Sequence, residues 1–190
     1  MWHVHTGRLL ATFRGHSKEI CDIDVNYENT LVASASLDKK VRIWNLKTTK
    51  MECVLHGHQS GVNATKFSPF CKNDERWLAS VGNEGSICFW KYYIGTTEFE
   101  PRPIKFVEKS RAGAQMLCLS FSPGGYFLAA GSSDSVIRVY SFHTYSPLKI
   151  CELDRHTSVV ETICYSHLSN SFLSGSKDGT ARLWRYEQQT

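Results

Sequence analysis

The sequence predicts an all-β fold built from repeated four-stranded units, and two observations predict it. First, one strand-turn-strand pattern recurs four times in the 190 residues, reading LVASASLDKKVRIW (31–44), WLASVGNEGSICFW (77–90), FLAAGSSDSVIRVY (127–140) and FLSGSKDGTARLW (172–184). Second, the short apolar runs between turn residues are rich in β-branched and aromatic side chains, which favour strands over helices. Self-similarity at a fixed period indicates a repeat architecture.

The spacing of the copies predicts the blades of a β-propeller. In every copy an acidic turn residue is followed six residues later by an aromatic residue, as Asp38 is by Trp44. Successive aromatics are 46, 50 and 44 residues apart, close to the roughly 40 to 45 residues of a four-stranded blade. We therefore predict strands at 20–25, 30–35, 40–45, 50–55, 62–67, 77–81, 86–91, 103–107, 116–121, 126–131, 135–141, 147–152, 160–165, 171–175 and 180–185.

The division of the chain follows from these copies. We expect repeats at 15–56, 57–108, 109–154 and 155–190, the third degenerate and the fourth without its outer strand. Residues 1–14 are predicted to be the outer-strand stub of a preceding repeat, because 2–13 match a repeat's tail. The stub could complete the last blade and close a four-bladed ring. The alternative, which we favour, is an incomplete part of a larger propeller, since seven blades need about 300 residues.

The copies resemble the WD repeat, and this resemblance implies a hydrogen-bonded chain of polar side chains inside each blade. In that pattern a tryptophan indole donates to a serine, the serine bonds a histidine, and the histidine bonds the turn carboxylate. A buried polar network is tolerable only when every member is satisfied. The matching residues are His16, Ser34, Asp38 and Trp44; His58, Ser80, Glu84 and Trp90; Asp134; and His156, Ser174, Asp178 and Trp184.

Two copies depart from that pattern. The second has Glu84, one methylene longer than aspartate. The third keeps Asp134 but has Ala130 in place of serine, Tyr140 in place of tryptophan, and Arg111-Ala112-Gly113-Ala114 where the histidine is expected. We therefore expect the third blade to be held mainly by packing.

Enzymatic and metal-dependent functions are not favoured by these residues. Serine, histidine and aspartate compose a hydrolase triad, but a nucleophile is singular and exposed, whereas this set repeats inside apolar strands. The pairs His3-x-His5 and His56-x-His58 have no third ligand near them in sequence. We predict a non-enzymatic chain with no catalytic residues, no metal and no cofactor.

Composition points to an intracellular protein without a membrane segment. No window approaches the roughly 18 apolar residues of a membrane span, and the first residues lack a signal-peptide layout. The seven cysteines include no C-x-x-C, so we expect them to be small buried hydrophobes in a reducing compartment. The net charge of +4 is spread thinly, which makes direct nucleic-acid binding the less favoured alternative, with Lys39, Lys40, Arg42, Arg138, Lys177 and Arg182 as its candidate contacts.

Longer stretches resemble one family, the bromodomain and WD repeat-containing proteins, known also through the pleckstrin-homology-domain-interacting protein. The stretches are residues 8–17, 25–30, 101–106 and 174–182. The resemblance implies a large nuclear protein that serves chromatin-linked transcription, cell-shape control and substrate recruitment to a cullin-RING ubiquitin ligase. No bromodomain lies in these 190 residues. The Trp-Asp-x-Arg ending often linked to ligase-adaptor docking is absent from its nearest matches, residues 44–47 and 184–187.

The expected function is therefore a scaffold that binds other proteins, namely chromatin or ubiquitin-ligase components, with a scaffold of an unrelated cytoplasmic complex as a further alternative. Residues that precede each turn acid should reach a partner on the propeller's face: Leu37, Asn83, Ser133 and Lys177. Two insertions, 69–76 and 92–114, are also candidates, since long loops in repeat arrays often add specificity. The second contains the candidate contacts Phe99 and Arg102.

Overall fold

The computed structural model describes residues 1–69, 74–108, 113–143, 146–169 and 171–186, and the all-β prediction is confirmed. The fifteen named elements of these residues are all strands, and each lies within two residues of a predicted strand. They are β1 Ile20–Val25, β2 Leu31–Ser36, β3 Lys40–Asn45, β4 Met51–His56, β5 Val62–Phe67, β6 Glu75–Gly82, β7 Ser86–Tyr93, β8 Ile104–Val107, β9 Met116–Phe121, β10 Phe127–Ser132, β11 Ile137–Ser141, β12 Leu148–Leu153, β13 Val160–Tyr165, β14 Phe172–Ser176 and β15 Ala181–Trp184.

The strands form four antiparallel sheets whose order follows the chain: β1-β2-β3-β4, β5-β6-β7-β8, β9-β10-β11-β12 and β13-β14-β15. We number these sheets blades 1 to 4. The first strand of each blade packs on the first strand of the next, β1 on β5, β5 on β9 and β9 on β13. This sequential stacking is the arrangement of a β-propeller. No helix long and apolar enough to cross a membrane occurs among the described residues.

The hydrophobic core lies between the blades. Each of three buried clusters draws its residues from two consecutive blades: Leu31 and Trp90 share the first, Phe89 and Tyr140 the second, and Val139 and Ile163 the third. Every residue of β2 and β10 is buried, because these middle strands are covered on both faces. Small residues such as alanine therefore suit them, since neighbouring blades approach closely.

The same tight turn joins the second and third strands of every blade. The residue after the turn acid has a positive φ in each case, at Lys39, Gly85, Ser135 and Gly179. At Gly85 a side chain is also excluded by space, because an added Cβ would lie 2.5 Å from the carbonyl oxygen of Ala114. This repeated geometry fixes the register of the two strands and holds the acid at the same place in each blade.

The propeller is open at both ends. In β5, β9 and β13 the side chains that face the preceding blade are buried, but their counterparts in β1, namely Ile20, Ile23 and Val25, are exposed. At the other end Leu183 of β15 is 54% exposed, whereas its counterparts Ile43 and Phe89 are fully buried. Residues 8–13 do not pair with β15; Leu9 pairs instead with Trp2. The four-bladed closed ring is therefore not formed, and the interpretation as a propeller fragment is confirmed.

The expectation of buried cysteines is wrong for three of the six that the structure describes. Cys88 is buried, and Cys53 and Cys118 are partly buried, but Cys21, Cys151 and Cys164 are exposed. Cys21 and Cys164 lie on the first strands of blades 1 and 4, and each of these blades has one side that no other described blade covers. Cys71 lies outside the described residues.

Candidate functional site

Blade 1 contains an uninterrupted chain of four hydrogen-bonded side chains. The Nε1–H of Trp44 donates to Ser34 Oγ at 2.8 Å, and Ser34 Oγ lies 2.7 Å from His16 Nε2. His16 Nδ1 lies 2.8 Å from Asp38 Oδ2. Since a carboxylate only accepts, Nδ1 of His16 carries the proton and Nε2 accepts from the serine. Every proton in the chain is thus directed toward Asp38.

Blade 4 repeats this geometry with its own residues. Trp184 donates to Ser174 at 2.8 Å, and Ser174 lies 2.7 Å from His156. His156 in turn lies 2.7 Å from Asp178 Oδ2. Thr180 adds a 2.7 Å bond to the same carboxylate. The two blades are therefore braced alike.

Blade 2 accommodates the longer Glu84 and adds partners to it. His58 lies 2.8 Å from both Glu84 Oε1 and Ser80 Oγ, and Trp90 donates to Ser80 at 3.0 Å. The hydroxyl of Ser86 donates to Glu84 at 2.6 Å. The Lys105 ammonium lies 3.3 Å from the same carboxylate oxygen, so a cation from the fourth strand joins the network.

Blade 3 has an ion-pair cluster in place of the histidine network, in addition to the apolar packing expected of it. Arg138 is 1% exposed, and its Nη2 lies 2.7 Å from Asp134 Oδ2. Its Nε donates to Glu108 at 3.0 Å. Lys149 lies 3.0 Å from Glu108 and 2.8 Å from Glu152. The sequence carries no signal specific to this cluster, because an arginine also follows the acid by four residues in blades 1 and 4, as Arg42 and Arg182.

The turn carboxylates are held in their ionised form. Burial raises the pKa of Asp38, but bonds from His16 and from the backbone N–H groups of Ser17 and Lys40 outweigh it, and the net pKa is lowered. Burial acts in the same way on the pKa of Glu84, where His58 and Ser86 prevail and the net pKa lies well below its ordinary range. These acids therefore serve as permanent acceptors.

The braces share their residue types with a hydrolase triad, but the serine is not placed as a nucleophile. Ser34 is 3% exposed, and its oxygen already accepts the indole N–H of Trp44. Ser80 and Ser174 are equally buried and equally engaged with Trp90 and Trp184. A substrate carbonyl has no approach to such an oxygen.

The four residues that precede the turn acids occupy equivalent places at one end of the blades. The backbone N–H of each donates to the carbonyl just before its blade's first strand: Leu37 to Glu19, Asn83 to Gly61, Ser133 to Gln115 and Lys177 to Val159, all at 2.9 to 3.0 Å. Their side chains differ in exposure and in hydrogen-bond partners. Asn83 accepts from Asn63 at 2.7 Å, whereas Lys177 is exposed and pairs with Glu161 at 3.1 Å. We call these four residues the turn row.

The two candidates in the second insertion have different surroundings. The Phe99 ring stacks on Tyr92 with centroids 4.8 Å apart, and it packs against the cluster between blades 1 and 2. Arg102 is exposed. The loop around Phe99 is anchored to β7, since the N–H of Glu100 donates to the carbonyl of Lys91 at 2.8 Å. Parts of both insertions, residues 70–73 and 109–112, lie outside the described residues.

The basic residues proposed for nucleic-acid contact do not form one surface. The guanidinium of Arg138 is enclosed by Asp134 and Glu108 and is buried. Arg42 and Arg182 are partly buried within their blades. Lys39 remains exposed. Phosphate binding needs clustered, accessible cations, so this arrangement disfavours that alternative.

Comparison with known proteins agrees with this geometry. The family described as "WD domain, G-beta repeat" matches residues 7–45, 49–91, 106–141 and 147–185. The chain belongs to the WD-repeat family. Propellers of this family generally serve as non-enzymatic scaffolds for protein interaction, and the coarse prediction of a protein-binding scaffold is confirmed.

Several curated relatives align with nearly the whole WD-repeat chain. It is 26% identical to a bromodomain and WD repeat-containing protein of Dictyostelium discoideum over 98% of its own length and 11% of that protein's. It is 28% identical to WD repeat and SOCS box-containing protein 1 of Xenopus tropicalis, covering 97% of this chain and 53% of that protein. The WD-repeat chain thus spans about half or less of these relatives' length.

Two solved structures share the fold. The computationally designed Ika4 protein has a TM-score of 0.73 at 24% identity, covering 96% of this chain and 100% of that one. The β-propeller domain of Cps50 (Swd1) from Myceliophteria thermophila has a TM-score of 0.76 at 18% identity, covering 96% of this chain and 57% of that one. These likenesses show the propeller architecture.

Proposed function

We propose that this WD-repeat chain is the protein-binding scaffold of a nuclear, chromatin-associated regulator of transcription and cell shape, and that it recruits substrates to a cullin-RING ubiquitin ligase. The observation that carries the scaffold role is the internal use of the recurring polar side chains. His16, Ser34 and Asp38 bond one another, as do their counterparts in blades 2 and 4. The turn row and the loop at 94–102 are therefore the candidate contacts for a partner.

The nuclear and ligase parts of the proposal rest on resemblance. The alignment with a bromodomain and WD repeat-containing protein covers 98% of this chain, and loop stretches such as residues 101–106 carry the likeness to that family. A second relative is a WD repeat and SOCS box-containing protein. The absent Trp-Asp-x-Arg ending at residues 44–47 leads us to expect that a ligase adaptor docks through other residues.

The experiment is affinity capture with matched surface variants. The tagged chain is used to capture proteins from nuclear and cytoplasmic extracts, followed by mass spectrometry. We expect chromatin proteins or ligase subunits from the nuclear extract, and we expect Lys177→Glu and Arg102→Glu to reduce their recovery. Leu168→Asp is the control, because Leu168 is 97% exposed in the loop before β14 and belongs neither to the turn row nor to the loop at 94–102.

The outcomes separate the proposal from its alternatives. Recovery of neither chromatin proteins nor ligase subunits, or capture confined to a cytoplasmic complex, contradicts the nuclear assignment. Capture of nucleic acid with an affinity that falls steeply between about 50 and 200 mM salt indicates phosphate contacts instead.

A further inference from the structure

We propose that the groove between β4 of blade 1 and the loop at 94–102 of blade 2 binds an extended segment of another protein, rich in lysine or arginine, which pairs with β4 as an added strand. This binding role rests on the proposed scaffold function and names the partner chemistry for one of its candidate surfaces. The course of the groove, the unpaired edge of β4 and the charges of the lining residues support it.

The groove follows the edge of β4 and has a volume of about 580 Å³. Five consecutive residues of this strand, 52–56, line one wall, and residues 97–101 line the other. Successive side chains of a strand point to opposite faces, so a pocket on one face of β4 would contact alternate residues only. The unbroken run of lining residues therefore indicates that the groove lies beside the strand, where a further strand would pair.

The outer edge of β4 is unpaired. β4 is the last strand of its sheet, and among the described strands it pairs with β3 alone. It lies in mid-chain, between β3 and β5, so this outer place belongs to blade 1 itself. An unpaired edge offers a row of backbone N–H and C=O groups to an extended segment.

β4 also lacks the residues that commonly protect a strand edge. Proteins block such edges with lysine or proline, and the fourth strands of blades 2 and 3 contain Lys105 and Lys149. The six residues of β4 include neither type. Val54 of β4 lies opposite Arg42. Lys105 lies opposite Cys88, the equivalent residue of blade 2, so a lysine is accepted at the position that Val54 occupies.

The opposite wall of the groove is anchored to β7. The N–H of Glu100 donates to the carbonyl of Lys91 at 2.8 Å. Phe99 forms a β-bridge with Tyr92, and its ring stacks on the tyrosine ring. The groove is therefore formed before a partner arrives, and a preformed site costs less conformational entropy on binding.

The carboxylates that line the groove determine the charge of its partner. Glu52, Glu98 and Glu100 line it, and no lysine or arginine does. All three are exposed. Among the described residues none of the three has a lysine or arginine within ion-pair distance, whereas Glu75 pairs with Lys91 at 2.6 Å. Lysine and arginine side chains of a partner would complement these carboxylates, and phosphate groups would be repelled.

Apolar side chains set a second requirement for the partner. Cys53, Val54 and Phe99 are half-buried in the lining, and the buried Trp90 also lines the groove. A strand added to β4 would direct alternate side chains to opposite faces. The occupant is therefore an extended segment in which basic residues alternate with apolar ones. Arg102 is not among the lining residues, so its substitutions report on a different contact.

The first experiment measures peptide binding to the whole chain by fluorescence anisotropy. The probe is a labelled peptide in which lysine alternates with valine, and its control has glutamate in place of lysine. We expect the lysine peptide to bind and the glutamate peptide not to bind. The variant with both Glu98→Gln and Glu100→Gln should lose affinity about fivefold or more. Glu161→Gln, which changes an exposed carboxylate of β13 outside the groove, should bind as the wild type does.

The second experiment separates strand pairing from attraction between charges. Two forms of the lysine peptide are N-methylated on alternate backbone amides, one form on each of the two alternating sets. Only one set can bond to β4, so one form should lose affinity roughly tenfold or more while the other keeps it. Val54→Lys, which copies the lysine of blade 2, should weaken binding of the unmodified peptide without lowering the melting temperature.

Four outcomes overturn the proposal. They are no binding of the lysine peptide, equal binding of the glutamate peptide, equal affinity of the two methylated forms, and unchanged affinity of the Glu98→Gln and Glu100→Gln variant. Self-association of the chain that Val54→Lys abolishes overturns it as well, because a second copy is then the occupant of the edge.

These tests are independent of the capture from nuclear extract. If the peptide does not bind while nuclear capture still depends on Lys177, the groove assignment fails and the scaffold function stands. If the lysine peptide binds as expected but neither chromatin proteins nor ligase subunits are recovered, the groove assignment stands and the nuclear assignment fails.

Discussion

Arg138 Nη2 lies 2.7 Å from Asp134 Oδ2, and the arginine thereby takes the place that histidine has on the equivalent carboxylates of the other three blades. The exchange uses residues from different parts of the blade. The histidines precede the first strand, whereas Arg138 comes from the third strand of its own blade. The turn acid is thus bonded by a histidine before the first strand in blades 1, 2 and 4, and by an arginine of the third strand in blade 3.

The arginine position explains how blade 3 can lack a histidine. Arg42 and Arg182 occupy the same place as Arg138 in blades 1 and 4. In those blades histidine bonds the turn acid, and the buried arginine Nε has no hydrogen-bond partner among the residues that the structure describes. In blade 3 the same Nε bonds Glu108. Arg138 thus bonds the turn acid in the one blade whose sequence lacks the histidine.

Removing the Arg138 guanidinium should be strongly destabilising. In Arg138→Met, Asp134 and Glu108 lose their buried partner, and breaking a buried ion pair from one side costs about 3 to 5 kcal/mol. Urea unfolding followed by tryptophan fluorescence measures the change. Lys177→Met is the matched control, because its pair with Glu161 is exposed and should contribute less than about 1 kcal/mol. Equal costs for the two variants would contradict the assignment.

Replacing serine by alanine in blade 1, and alanine by serine at the equivalent position of blade 3, should both lower the stability of the chain. Ser34→Ala removes the acceptor of the Trp44 indole and the partner of His16, and stranding buried polar groups costs about 1 to 3 kcal/mol. Ala130→Ser, at the equivalent position of blade 3, buries a hydroxyl beside Arg138 and Tyr140. Blade 3 has neither the histidine nor the tryptophan that would bond this hydroxyl, so the substitution should cost about 1 to 3 kcal/mol. Thermal melting compares them. A neutral Ala130→Ser would show that blade 3 can rebuild the network.

The repeat pattern was sufficient to predict the strands and three of the four networks. Strand period, turn residues and the constant six-residue offset from acid to aromatic are local signals, and each repeat is folded by contacts with its neighbours. His16, Ser34 and Asp38 could be placed together because the WD-repeat resemblance supplied their partners. The additional bonds from Ser86 and Lys105 to Glu84 were not foreseen, since they depend on the position of the fourth strand.

The blade 3 cluster was missed for a physical reason. Glu108, Asp134 and Lys149 are far apart in sequence and meet only because β11 pairs with β12 and the segment after β8 runs beside them. No fixed spacing in the sequence indicates that these three side chains lie together. The exposed cysteines were missed because their burial in a complete propeller depends on blades that flank Cys21 and Cys164.

Acidification should destabilise the chain through its turn carboxylates. The pKa of Asp38 is lower in the folded chain than its ordinary value, so the unfolded chain takes up the proton first as pH falls. The stabilisation is complete above pH about 5 and is lost progressively below it. Asp38→Asn keeps an acceptor oxygen for His16 and should flatten the fall in melting temperature between pH 6 and 3.

Asp24 provides a control of opposite sign. Burial is the main cause that raises its pKa, against the backbone N–H of Phe67 and the charge of Lys66. A raised carboxyl pKa contributes stability at low pH that is lost as pH rises through the folded value. Asp24→Asn should therefore steepen the acid dependence. Parallel curves for the two variants would contradict both assignments.

Phe99 and Arg102 should separate stability from binding within one loop. Phe99 is stacked on Tyr92 against the core between blades 1 and 2, so Phe99→Ala should lower the free energy of unfolding by about 2 kcal/mol or more. Arg102 is exposed, and Arg102→Ala should change it by less than about 0.5 kcal/mol. If the loop binds a partner, Arg102→Ala weakens capture while the melting temperature stays constant. Phe99→Leu, which retains an apolar side chain against Tyr92, should keep most of the stability and so test whether the ring itself is recognised. Full capture by both Arg102→Ala and Phe99→Leu would remove this loop as a contact and leave the turn row as the remaining candidate.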